Sequence, residues 1–179
     1  YARSELREMD GGEKAAWTNT SGTHTLEVCQ AITKVPRAKP ELVAAQIHDG
    51  NDDVVQIRLE DRALVAQYAD GASQVVIDPD YALGTPYQVR IVAADRRVVV
   101  FYDGEQKAEL PLEGSGWYWK VGAYVQSNAS KGESSGSAGE VVVLADGQEK
   151  TLTDVGAGLA RNASLRPMEE LEATNAPSA

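Results

Sequence analysis

Along "WYWKVGAYVQ" (residues 117–126) apolar and polar side chains alternate. Trp117, Trp119, Val121, Ala123 and Val125 form one set; Tyr118, Lys120, Gly122, Tyr124 and Gln126 form the other. A period of two belongs to a strand with one buried face. The same short, β-branched texture recurs in "HTLEVCQAIT", "ELVAAQIHDG", "VVQIRLED", "ALVAQYAD", "YQVRIVAADRRVVVFYDGEQKAEL" and "GEVVVLADG". Turn signals divide these runs at Asp49-Gly50, Asp70-Gly71, Asp103-Gly104 and Asp146-Gly147, and Pro79 and Pro86 bracket a loop. "RRVVVFYDGEQKAEL" predicts a hairpin turning at Asp103-Gly104. The Ser/Gly-rich stretch 127–139 predicts a mobile loop. Regularly spaced short strands without a fixed repeat predict an all-β antiparallel sandwich or barrel. From about Thr153 the pattern changes. "LRPMEELEATNAPSA" predicts one short helix starting at Pro167 and a frayed end. Residues 153–179 are therefore read as an appendage to a single domain spanning 1–152.

Composition narrows the functional classes. A chain of 179 residues with 42% hydrophobic content is long enough to bury one core. The formal charge of −10 disfavours nucleic acid as a partner. An anionic polymer would need a local cationic patch. No apolar run of about eighteen residues is present, so no membrane span is expected. No signal peptide is visible, and a chain opening at Tyr1 reads as a processed or truncated product. The lone Cys29 excludes an internal disulfide and a cysteine-cluster metal site; it is read as a small core or edge residue. Neither His24 nor His48 has a metal-ligand pattern around it, and His24 is assigned no role. Asn19, Asn128 and Asn162 fit the Asn-X-Ser/Thr pattern, which matters only in a glycosylating host.

Two other segments share the polar texture of residues 117–126. In "YARSELREM" the set Arg3, Glu5 and Arg7 falls on one strand face. In "AAQIHDG" Gln46 and His48 share a face, with Ala45 and Ile47 on the other. If these strands adjoin, one sheet face carries cations, amides, an imidazole and a phenol. On spacing alone, Arg3-Glu5-Arg7 is more commonly an exposed ion-pair row of little energetic worth. A single histidine is likewise more often a surface residue than a catalyst.

"RSELREM", "QIH" and "YWKVGAYVQ" occur in that order, and together they resemble the three signature segments of the alginate lyases of polysaccharide lyase family 7. The family patterns are Arg-(Ser/Thr)-Glu-Leu-Arg, Gln-(Ile/Val)-His and Tyr-Phe-Lys-Ala-Gly-(Val/Ile)-Tyr-Asn-Gln. The resemblance runs over about residues 1–145, through "DGGEKAAW", "SGTHTL" and "AQIHDGNDD". Trp119 stands for the Phe of the third pattern, and Val125 for its Asn. Both fall on the apolar face. Family members carry several strands before the first pattern, whereas this sequence starts two residues before it. The expectation is a β-jelly roll of two antiparallel sheets with a concave substrate groove, lacking those N-terminal strands and exposing a sheet edge.

The resemblance implies β-elimination in a polymer of 1,4-linked mannuronate and guluronate, without a cofactor or metal. Three tasks follow: neutralising the C6 carboxylate, removing the C5 proton, and protonating the departing O4. By resemblance Arg3 and Gln46 hold the carboxylate, and His48 and Tyr124 transfer the protons. Lys120, Arg7 and Gln126 line the substrate-binding subsites. Glu5 joins them by orienting Arg3 and Arg7 through ion pairs. A guanidinium suits a carboxylate. Fixed donors favour the enolate-like charge. A phenol beside cations can act as base, acid or both. The enzyme is expected to be secreted, monomeric and endolytic, to act on alginate, and to need neither nucleic acid nor membrane. Ile47, in the middle of the triplet, implies a preference for polyguluronate. Two alternatives stay open: a non-catalytic polyuronate-binding jelly roll, and a lyase for another polyuronate such as glucuronan.

Overall fold

The computed structural model describes residue 1, residues 3–132, 139–145 and 148–153, with the backbone alone at 144–145 and 148–153. Fifteen strands follow in chain order: β1 (Arg3–Arg7), β2 (Met9–Asp10), β3 (Glu13–Lys14), β4 (Trp17–Thr18), β5 (Thr23–Lys34), β6 (Glu41–His48), β7 (Asp53–Glu60), β8 (Ala63–Tyr68), β9 (Ser73–Asp78), β10 (Tyr87–Ala94), β11 (Arg97–Tyr102), β12 (Glu105–Leu110), β13 (Ser115–Val125), β14 (Glu140–Ala145) and β15 (Gln148–Thr153). One sheet runs β1-β13-β6-β7-β8-β9, with β4 also paired to β13. The other runs β12-β11-β10-β5-β14-β15. All pairings within these sheets are antiparallel. The fold is the expected β-jelly roll. The 167–179 helix, Asn162 and the Asp146-Gly147 turn lie outside the described residues, as does 133–138 of the Ser/Gly-rich loop.

Strand alternation builds the core between the sheets. Trp117, Trp119, Val121, Ala123 and Val125 are all buried, as the period-two pattern requires. They pack with Ile47, Ile57, Leu59, Leu64, Val89 and Ile91 in one apolar cluster. Each fully buried aliphatic side chain contributes about 1.5–3 kcal/mol of hydrophobic stabilisation. The Asp103-Gly104 hairpin forms as predicted, with φ +47 and +82 at the two positions.

Three features depart from the sequence reading. Asp95 and Arg96 turn β10 into β11 in the left-handed region, at φ +49 and +62. No glycine marks that turn, so residues 87–102 read as one run although they hold two strands. Strand β9 pairs with β8 at a sheet edge, where the exposed Gln74 and Val76 weaken its alternation. Asn19 is fully buried. Its amide nitrogen donates to the carbonyls of Leu112 (2.7 Å) and Arg97 (3.3 Å), and its oxygen accepts from the Gly114 N–H. A glycan at Asn19 is incompatible with this fold. His24 stacks on Trp17 with ring centroids 4.3 Å apart. Half-buried Cys29 has its thiol pushed up by burial and, secondarily, by Asp103.

Candidate active site

The three polar strands are neighbours: β13 lies between β1 and β6. Register then decides which side chains meet. Arg3 opposes Tyr124, Glu5 opposes Gly122, and Arg7 opposes Lys120. Across the other edge of β13, Lys120 opposes Gln46 and Tyr118 opposes His48. Directly opposed residues point to the same sheet face. The topology thus brings Arg3, Glu5, Arg7, Gln46, His48, Lys120 and Tyr124 onto one face.

Gly122 permits the close approach of β1. Its φ is +148, and a Cβ there would lie 2.2 Å from the Ser4 carbonyl oxygen and 2.8 Å from Glu5 Cα. Only glycine accommodates both the conformation and the contact. The β13–β6 register also shifts between Val121 and Tyr124. Such an irregularity re-aims side chains next to a site.

Glu5 is the electrostatic hub. Its side chain is 6% exposed and that of Lys120 is 12% exposed, with Nζ 3.1 Å from Glu5 Oε2. Arg3 stands 4.0 Å away on the solvent side. Gln46, itself fully buried, donates its amide to Glu5 Oε1. The second N–H of that amide is left for a ligand. Arg7 differs from expectation. Its guanidinium covers the Tyr118 ring at 3.2 Å and reaches the Ala15 carbonyl, so Glu5 orients Lys120, Gln46 and Arg3 rather than Arg3 and Arg7. The carboxylate of Glu5 is turned onto its partners, which places it in support of the substrate-facing groups. Arg3 also lies over the Tyr124 ring, 5.0 Å from its centroid.

His48 is held by its own turn. Nδ1 lies 2.6 Å from the Asp49 carbonyl oxygen and 3.1 Å from the Tyr118 hydroxyl. A carbonyl can only accept, so this contact puts the proton on Nδ1 and leaves Nε2 as the basic nitrogen. The Asp49 carboxylate caps the turn by accepting from the N–H groups of Asn51 (2.6 Å) and Asp52 (2.8 Å). These bonds, Asp52 first, hold its carboxyl below the usual range. Tyr118 was missed as a site residue. It sits between Arg7 and His48, its ring stacked 5.4 Å from the imidazole. The signal was its place two residues before Lys120, in the same polar row.

A cavity of about 170 Å³ opens beside Tyr124. Gln126 lines it, and the remaining wall comes from β7, β8 and two turns rather than from Arg3, Arg7 or Lys120. Arg58 on this wall is already engaged by acidic partners: it pairs with Glu41 and with Glu60 at 2.9 Å, and donates to the Gln67 amide oxygen at 3.1 Å, although its Nε makes no hydrogen bond among the described residues. Asp53, opposite His48, has its carboxyl pushed up by burial first and by Asp52 next.

An alginate lyase family model matches residues 1–152. Among solved structures, the chain is 43% identical to the alginate lyase AlgAT5 from polysaccharide lyase family 7, at a TM-score of 0.76, covering 83% of this chain and 68% of that one. It is 39% identical to the alginate lyase from Corynebacterium sp., at a TM-score of 0.74, covering 83% and 67%. A third similar structure, truncated AlyQ with CBM32 and alginate lyase domains, is 34% identical at a TM-score of 0.73, covering 80% of this chain and 46% of that one. No curated protein matches the chain. The chain belongs to the alginate lyases of polysaccharide lyase family 7, and is a polysaccharide lyase.

Proposed function

We propose that this lyase cleaves the 1,4-glycosidic bond of alginate by β-elimination, within the chain and preferentially in polyguluronate. The observation that carries the reading is the strand order β1-β13-β6, which sets Arg3, Lys120, Gln46, His48 and Tyr124 on one face. Arg3 and the free N–H of Gln46 neutralise the C6 carboxylate and so acidify the C5 proton. His48 Nε2 takes that proton. The electron pair forms the C4–C5 double bond, the C4–O4 bond breaks, and the Tyr124 hydroxyl protonates O4. General acid–base groups of this kind contribute about 10²- to 10⁴-fold each.

The block preference rests on stereochemistry. In guluronate the C5 proton and O4 lie on opposite ring faces, so two separate groups suit the reaction. In mannuronate they share a face, and Tyr124 alone can serve both steps. Ile47 is fully buried, pointing away from the groove face, and acts by fixing how Gln46 and His48 sit. Small displacements matter at near-attack geometry. The enzyme is read as a secreted monomer, a long polysaccharide being a substrate met outside the cell. Initial rates on purified blocks, followed by the ultraviolet absorbance of the new double bond, test the preference. Polyguluronate is expected to react faster, with Ile47→Val narrowing the gap. Faster cleavage of polymannuronate would contradict the preference, and so would an unchanged ratio in Ile47→Val. A rapid fall in polymer viscosity at low conversion is the expected mark of internal cleavage.

A further inference from the structure

A single row of directly opposed residues crosses the whole sheet: Arg7–Lys120–Gln46–Gln56–Gln67–Gln74. At the ~4.8 Å spacing of neighbouring strands it spans roughly 24 Å. That spacing is close to the advance of one pyranose unit along a 1,4-linked chain, so a polymer crossing the strands meets about one residue of the row per sugar. The row changes character along its length. It begins with two cations and continues with four glutamines.

Gln56 stands apart from its neighbours. Gln46 is bonded to Glu5, and Gln67 to Arg58, Glu60 and Gln74. Gln56 is 4% exposed and lines the cavity beside Tyr124, yet no hydrogen bond to its amide is found among the described residues. On the same cavity, Gln126 has a buried Nε2 that also lacks a partner among the described residues. A buried amide group without a partner, as at Gln126 Nε2, costs about 1–3 kcal/mol, and Gln56, which lines the same cavity with no side-chain bond of its own among the described residues, can offer its amide to the same ligand. The charges around it exclude a carboxylate as the favoured contact. Asp52, Asp53 and Asp70 form the rim, and Arg58 is already shared between Glu41 and Glu60. A metal ion fits no better, because among the described residues no three acidic, histidine or cysteine side chains converge to hold one. Sugar hydroxyls, which both donate and accept, match amides that do the same.

We propose that Gln56 and Gln126 form an uncharged subsite that holds the hydroxyl edge of one uronate unit immediately beyond Tyr124. The assignment rests on the lyase reading above and extends it to substrate length. The cations at β1 and β13 attract the polymer, and the amides of Gln56 on β7 and of Gln126 just after β13 seat it by hydrogen bonds that salt does not screen.

Size-defined oligoalginates test this with Gln56→Ala and the volume-conserving Gln56→Met. Loss of neutral hydrogen bonds is expected to lower kcat/KM about fivefold to tenfold on the polymer and on oligomers long enough to reach the subsite, mainly through KM. The shortest cleavable oligomer should be unaffected in both variants. The ratio of wild type to variant should be the same at low and high salt. An equal loss at every length, no loss at any length, or a ratio that collapses in salt would overturn the subsite. Failure of the wild type to form unsaturated ends from any alginate would instead overturn the lyase reading itself.

Discussion

Two glutamines in this molecule share one degree of burial and differ in almost everything else. Gln30 on β5 and Gln46 on β6 are 0% and 1% exposed, and each has an amide oxygen without a partner among the described residues. Gln30 points into the core of the second sheet and donates to the Tyr87 hydroxyl at 2.8 Å. Gln46 points to the groove face and donates to a carboxylate that also holds Lys120. The two tyrosines contrast in the same way. Tyr87 is enclosed, and burial, with a smaller contribution from Tyr81, pushes its phenol well above the ordinary value, so it stays neutral. Tyr124 is half-buried, borders a cavity, and has the Arg3 guanidinium over its ring. Burial of polar groups is therefore not the mark of the site. The mark is burial among charges that a substrate can complete.

That contrast can be broken by mutation. The largest effect is expected at His48. On the proposed mechanism, His48→Ala should lower turnover by about 10²- to 10⁴-fold while leaving the thermal transition close to wild type, because the imidazole lies at the sheet surface and outside the apolar core. Unchanged turnover would remove His48 from the chemistry.

Gly122→Ala should follow. The new Cβ meets the β1 backbone, and the φ of +148 disfavours any side chain. Strain of this kind costs of order 1–3 kcal/mol, before the clash separates Arg3 from Tyr124. Both melting temperature and kcat/KM should fall. A variant that keeps both would mean β1 can shift without consequence to the site.

Tyr87→Phe should behave in the opposite sense to any groove variant. It leaves the Gln30 amide bare in the core, at about 1–3 kcal/mol, readable as a lower urea midpoint. The kcat/KM of the folded fraction should not change. Loss of kcat/KM without loss of stability would join the two regions that the fold keeps apart.

The smallest effect concerns Asp49. Its folded carboxyl lies below the usual range because backbone N–H groups favour the ionised form. The stabilisation is thus present above the unfolded value of about 3.9 and is lost as pH falls through the lower folded value. Asp49→Asn should flatten the fall in stability on acidification. Urea midpoints at neutral and acid pH check this, and an unchanged pH profile would deny the cap a role.

The fold was largely legible because β-branched alternation with Asp-Gly turns is a local signal. The Asp95-Arg96 turn and the edge strand β9 were not, since one lacks a glycine and the other lacks a clean apolar face. The candidate residues Arg3, Arg7, Gln46, His48, Lys120 and Tyr124 come from the resemblance of three ordered segments, since spacing alone favours a plain ion-pair row and a surface histidine, and their adjacency is not legible in the sequence. That depends on β13 lying between strands far away in sequence. The close packing of Gly122 against β1 and the place of Tyr118 between Arg7 and His48 arise from cross-strand partners, which chain order does not display. The pairing of Glu5 with Lys120 in place of Arg7 is likewise a matter of register.

The most direct test is the Tyr124→Phe variant, assayed on polyguluronate by ultraviolet absorbance and, in parallel, for polymer binding. The substitution removes one hydroxyl and keeps the ring under Arg3. The predicted result is near-complete loss of double-bond formation with polymer binding retained. Turnover close to wild type would contradict Tyr124 as the group that protonates O4.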